Sequence, residues 1–169
     1  MRWELTERKV SDEVVEGEDL EFEGNTLYSG KELNKLAKDL PGGKITNYDI
    51  LRVLEVVYSK YLEDGYSFVD FSLARVNGQA LVLKVFEGRI SKITIEGNKN
   101  TAKKVIENKI LLSEGDIFNS NLLEDSRRKL LNLGYFSEVS PESVRGPEGL
   151  ELKFSIQEKS KLNSVNGGL

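Results

Sequence analysis

The chain contains no cysteine and no histidine among its 169 residues, and only three prolines, one methionine and one tryptophan. Without cysteine there are no disulfide staples, thiolate metal sites or cysteine nucleophiles, and the redox compartment stays open. Without histidine, the common zinc sites, histidine-dependent triads and imidazole pH switches are excluded. A long apolar run is missing too. No stretch reaches the ~18–20 apolar residues that span a bilayer as a helix, and Met1-Arg2-Trp3-Glu4 lacks the apolar centre of a signal peptide. An extracytoplasmic location therefore implies a piece of a longer chain. Net charge is -4, so no global positive field collects nucleic acid or anionic lipid.

What is present is a repeat. Glu23-Gly24-Asn25 returns as Glu96-Gly97-Asn98, 73 residues on, and Gly65-Tyr66 returns as Gly134-Tyr135, 69 residues on. Landmarks in the same order at nearly the same offset indicate two units of about 70 residues. With 38% hydrophobic and 31% charged residues the chain has core material and much surface, as two small domains require.

In the first unit, Leu20-Glu21-Phe22 alternates as a half-buried strand closed by the Gly-Asn pair. Ser29 with Glu32 forms a capping box ahead of Leu33, Leu36 and Ala37, and Pro41-Gly42-Gly43 ends that helix. Asn47 is read as the cap of a longer helix with Ile50, Leu54, Val57 and Tyr61 on one face and Leu51, Tyr58 and Leu62 alongside. After Gly65, Phe68 to Val76 alternates with Val69, Phe71 and Leu73 on one face. Asn77-Gly78 then turns into Ala80 to Glu87, carrying Leu81, Leu83 and Val85.

The second unit repeats this order. Ile90 to Glu96 is a strand with Ile93 and Ile95 inward, followed by a helix capped near Thr101 with Val105, Ile106 and Ile110. After a break at Glu114-Gly115-Asp116, Asn119 to Leu133 forms the longer helix with Leu123, Leu130 and Leu133. Ser137 to Val144 and Leu150 to Glu158 form the hairpin. The fold class is α+β: two tandem β-α-α-β-β modules, each a three-stranded mixed sheet covered on one face by two helices, the other face polar and wet. The expected boundaries are 1–18 for the remnant of a preceding module or linker, 19–88 and 89–160 for the modules, and 161–169 for the start of something further.

This order resembles POTRA (polypeptide-transport-associated) domains. Ile93-Thr94-Ile95-Glu96-Gly97-Asn98, then Leu112-Ser113-Glu114-Gly115-Asp116-Ile117-Phe118, then Arg127-Arg128-Lys129-Leu130-Leu131-Asn132-Leu133-Gly134-Tyr135-Phe136 is similar to a POTRA of the outer-membrane barrel assembly family. Leu62-Glu63-Asp64-Gly65-Tyr66 and Phe86-Glu87-Gly88-Arg89-Ile90 also resemble two-partner secretion transporters. The resemblance implies barrel-proximal periplasmic modules of a diderm bacterium, anchored to the outer membrane by a C-terminal β-barrel whose first strand begins near 161–169. It implies unfolded outer-membrane or secreted polypeptides as clients, accessory periplasmic lipoproteins as further partners, and no nucleic acid. A two-partner secretion transporter with one dedicated substrate is the alternative, and a cell-division interaction protein another.

No constellation supports catalysis, a cofactor or a metal: no Gly-rich phosphate loop, nucleophile elbow or ligand spacing occurs. The acidic run Glu16, Glu18, Asp19, Glu21, Glu23 reads as a solvated segment. Arg127, Arg128 and Lys129 fan around a helix and form no single patch. In POTRA-like sheets the third strand is central and the second lies at an edge, where an incoming strand can add by β-augmentation. The candidate docking residues are Phe68, Asp70, Ser72, Ala74 and Val76 on the first edge and Ser137, Val139 and Ser143 on the second, with Pro141 weighing against the second.

Overall fold

The computed structural model describes residues 19–37, 45–77 and 80–160, with the side chains of residues 47 and 74–80 excepted. The expectations for 1–18, Pro41-Gly42-Gly43, the Gly78 turn and 161–169 lie outside the described residues. The chain divides into two compact units between Glu87 and Gly88.

In the first unit β1 (Asp19–Glu23), α1 (Gly30–Leu36), α2 (Asn47–Glu63), β2 (Val69–Asn77) and β3 (Ala80–Glu87) follow in order. In the second, β4 (Ile90–Glu96), α3 (Lys103–Glu107), α4 (Ser120–Leu131), β5 (Phe136–Gly146) and β6 (Gly149–Glu158) repeat it. The sheets run β1-β3-β2 and β4-β6-β5. In each, the first strand is parallel to the central one and the second antiparallel to it, giving the mixed sheet expected.

The central strands carry the cores. In β3 Leu81, Leu83 and Val85 are buried, and in β6 Leu150, Leu152, Phe154 and Ile156 are, so the alternation read from sequence is the burial pattern. Onto β3 pack Leu33 and Ala37 of the first helical segment and Ile50, Val53, Val57 and Tyr61 of α2. Each fully buried aliphatic or aromatic side chain contributes about 1.5–3 kcal/mol. Val82 points away from this cluster and is nonetheless buried, so the opposite face is not wholly wet. It pairs with Glu21 on one side and Arg75 on the other, and strands flanking it on both sides limit water access at the centre of the sheet.

Several local expectations are corrected. The cap of α2 is Thr46, not Asn47: Asp49 N–H donates to Thr46 Oγ1 at 3.2 Å and Thr46 N–H donates to Asp49 Oδ2 at 2.9 Å, a reciprocal box with Asp in the acidic place. The cap of α3 falls near Thr101 as expected, at Ala102, with no side-chain bond. The longer helix of the second unit is shorter than 119–133, with Asn119 as its cap and Asn132 closing it. Leu36, Leu51, Leu62, Leu73 and Val105 are exposed and not core. A helix stripe wide enough to include Leu51 and Leu62 exceeds what one sheet face can cover.

Candidate functional site

Each sheet has two margins, and they differ. Among the described residues no strand lies beyond β2, so it is the edge of the described sheet. The pairing of β2 with β3 is continuous from Val69↔Glu87 to Leu73↔Leu83 and slips before Arg75↔Val82. Ala74 is therefore the extra residue of a β-bulge, which twists the strand and divides the margin. Regular register with β3 is confined to Val69–Leu73 on this side of the bulge. Within it Val69 is buried and Phe71 is half-buried, its ring edge-on to Tyr58 and Tyr61, while Ser72 and Leu73 are exposed.

Of the residues picked from sequence, Asp70 and Ser72 lie in that stretch. Phe68 precedes the strand, Ala74 sits at the bulge, and Val76 lies beyond it, paired with Leu81. The uninterrupted edge from Phe68 to Val76 is thus shortened by a bulge that no glycine or proline marked.

On the second sheet β5 is the edge, with a slip between Phe136 and Glu138 that leaves Ser137 in the bulge. Val139 is buried, so its side chain belongs to the core and only its main chain could serve a partner. Ser143 is half-buried and its neighbour Val144 is 60% exposed. Pairing runs unbroken through Ser140↔Ser155, Pro141↔Phe154 and Glu142↔Lys153. A proline tolerated inside a paired strand turns its nitrogen away from the neighbour, so this margin lacks a donor at its middle.

The margin of β4 is closed by the chain itself. Gly115 N–H donates to Ile90 O at 2.7 Å, Ile90 N–H to Asp116 O at 2.8 Å and Phe118 N–H to Gly88 O at 2.8 Å, with an antiparallel bridge between Arg89 and Ile117. Further along, Ile93 N–H donates to Glu114 Oε1 at 2.9 Å. The segment read from sequence as a mere break, Glu114-Gly115-Asp116, is an edge cover.

The repeated Glu-Gly-Asn turns are held by carboxylates at the ends of the central strands, residues that sequence reasoning passed over. Glu87 accepts from Thr26 N–H at 2.9 Å, Leu27 N–H at 3.0 Å, the Thr26 hydroxyl and the Tyr61 hydroxyl at 2.9 Å. Burial pushes the Glu87 carboxyl up, but these donors outweigh it and hold the group below its ordinary range. Glu158 accepts from Asn100 N–H at 3.0 Å, Asn100 Nδ2 at 2.7 Å and Thr101 N–H at 2.7 Å. Desolvation again opposes, and the donors from Thr101 and Asn100 win, lowering it to about 2. The repetition of Glu87 and Glu158 at matching places was a usable signal. A depressed carboxylate stabilises the fold above its unfolded pKa, near 4.5, and that contribution disappears as pH falls through about 2. Acid titration of the Glu158→Gln variant should accordingly show less loss of stability between pH 4.5 and 2 than the parent, measured by urea midpoint at each pH.

Arg127 is tied to Glu124 at 2.8 and 2.7 Å and Arg128 to Asp125, three residues back on α4, so both arginines are paired along their own helix. Among the described residues no group of three or more acidic side chains could hold a metal.

Two units of strand-helix-helix-strand-strand order, each with an exposed strand margin, define a tandem of small α+β modules. Residues 89–159 match the POTRA family model described as surface antigen variable number repeat, and residues 18–88 match the model described as POTRA domain, ShlB-type. The chain belongs to the POTRA family, as a tandem pair of POTRA domains. It is 42% identical over 105 residues to outer membrane protein assembly factor BamA of Neorickettsia risticii, covering 57% of this chain and 14% of that protein. It is 26% identical over 151 residues to the BamA of Neisseria meningitidis serogroup B, covering 82% of this chain and 19% of that one. The chain spans a fifth or less of the length of these curated relatives. Its fold matches the N-terminal domain of Omp85 from Thermosynechococcus elongatus with a TM-score of 0.76 at 19% identity, over 87% of this chain and 68% of that one. CdiB from Escherichia coli matches with a TM-score of 0.71 at 19% identity, over 92% of this chain and 29% of that one.

Proposed function

We propose that the two modules are the periplasmic, barrel-proximal part of an outer-membrane β-barrel assembly protein and act by binding, without catalysis. Unfolded outer-membrane or secreted polypeptides dock on them by β-augmentation and pass toward a C-terminal membrane barrel, with accessory periplasmic lipoproteins as further partners. The observation that carries this reading is the Val69–Leu73 margin, where no described strand pairs, set against the covered margin of β4 and the proline-bearing one of β5. Main-chain pairing gives affinity with little sequence demand, which suits many clients.

The test uses successive positions. N–H groups of adjacent strand residues point to opposite sides, so of Ser72→Pro and Leu73→Pro one removes an outward donor and spares the pairing with β3. The variant that keeps the native circular dichroism should bind a barrel-strand peptide at least about fivefold more weakly, the loss of one or two hydrogen bonds. Unchanged NMR shifts and affinity in that variant would rule the β2 margin out. The match of residues 18–88 to a ShlB-type model favours a second reading, a two-partner secretion transporter. In that case one dedicated substrate binds and unrelated barrel peptides do not.

A further inference from the structure

The cover on β4 changes its nature along the strand. At the start it is main chain: Phe118 N–H reaches Gly88 O, and Gly115 N–H and Asp116 O close on Ile90. The covering segment then turns back on itself, since Ser113 N–H donates to Asp116 Oδ2 at 2.8 Å and Asp116 N–H to Ser113 O at 3.1 Å, with Gly115 between them at φ +94°. Past Ile90, among the described residues, only a side chain reaches the margin, that of Glu114, whose Oε1 accepts from Ile93 N–H at 2.9 Å. This bond shows that the Ile93 main chain faces out of the sheet, away from β6. Strand residues alternate, so the Ile95 main chain faces the same margin, and among the described residues nothing is bonded to it there. The side chains of Ile93 and Ile95 are half-buried on one face of β4, with Lys92, Thr94 and Glu96 on the other.

We infer that Glu114 guards this margin: its carboxylate stands where the main-chain carbonyl of an added strand would stand, and so keeps an extended barrel polypeptide off Ile93–Glu96. The separation of 2.9 Å is the ordinary length of a ladder bond, so guard and strand compete for one donor. A carboxylate accepts and never donates, so it takes the Ile93 N–H and offers nothing on which pairing could continue. The excluded occupant is specified by the strand itself. Apolar residues at every second position would extend the face of Ile93 and Ile95 and polar ones that of Lys92, Thr94 and Glu96, which is the alternation of a membrane-barrel strand. Glu114 is exposed, so replacing it changes the margin and leaves the core intact. The inference rests on the reading that barrel polypeptides add to these sheets as strands, and it names the group that decides where they do not.

The test is titration of the whole chain, as parent, Glu114→Ala and Glu114→Gln, with the strand peptide acetyl-Thr-Val-Thr-Val-Thr-amide, followed by amide NMR. In Glu114→Ala the Ile93 amide should exchange faster with solvent, and the peptide should shift Ile93 and Ile95 saturably with an affinity at that margin at least about fivefold above the parent's. Glu114→Gln keeps an acceptor oxygen and should stay closed as the parent does. A folded Glu114→Ala whose Ile93 and Ile95 signals ignore the peptide, or a Glu114→Gln that opens as fully as the alanine variant, would overturn the inference. Shifts at Ile93 and Ile95 in Glu114→Ala with none at Val69–Leu73 in any of the three would uphold the guard and sink the β2 reading instead.

Discussion

The Gly97→Ala variant should lose about 2–5 kcal/mol of stability in the second unit, the sum of a strained backbone and a forced overlap. Gly97 has φ +91°, which L side chains rarely adopt, and a Cβ built there would overlap the Ile156 carbonyl oxygen of the central strand. Neither partner can yield, since the oxygen is main chain in β6 and the turn is fastened by Asn98 Nδ2 to Thr101 O. Gly134→Ala separates the two causes: its φ is +77°, yet a Cβ would meet nothing within 4 Å. It should cost only the conformational share, about 1–2 kcal/mol. Urea unfolding followed by amide signals from residues 90–158 measures both. A Gly97→Ala loss no larger than that of Gly134→Ala would mean that the turn does not press on the strand.

Removing Tyr61 should damage the first unit comparably. The side chain is fully buried, meets the rings of Tyr28, Tyr66 and Phe71 edge-on, and donates its hydroxyl to Glu87 at 2.9 Å. Tyr61→Ala leaves a cavity in the core and should cost about 3–5 kcal/mol, as large aromatic truncations do. Tyr61→Phe keeps the ring contacts and removes one donor from a half-buried carboxylate that has others, so about 1 kcal/mol is expected. The ratio of the two, read from urea midpoints monitored at residues 45–77, divides ring packing from hydrogen bonding. Equal losses would mean that the hydroxyl, and not the ring, holds α2 to the sheet.

The architecture was legible because its signals are local. Leu33, Val57 and Tyr61 at helical spacing, and Leu150, Leu152, Phe154 and Ile156 at strand spacing, are buried as their periods require. Capping was legible at Ser29, where a hydroxyl and a carboxylate stand three apart, and misplaced at Thr46, where two eligible residues adjoin and Asp49 decides between them. The margins were only partly legible. That β2 and β5 are edges came with the resemblance, but the bulge at Ala74 depends on how β2 wraps β3, and no residue type announces it. The cover on β4 was hidden for the same reason: Gly115, Asp116 and Phe118 reach back to Gly88–Ile90 across some 25 residues of chain.

On the proposed function a polypeptide adds at β2 and is refused at β4. A photoreactive residue at Ser72, and separately at Lys92, in the full-length protein would be challenged with a labelled unfolded outer-membrane barrel polypeptide of known sequence. Capture at Ser72 well above that at Lys92 is the expected result; equal capture at both, or capture at Lys92 alone, would contradict it.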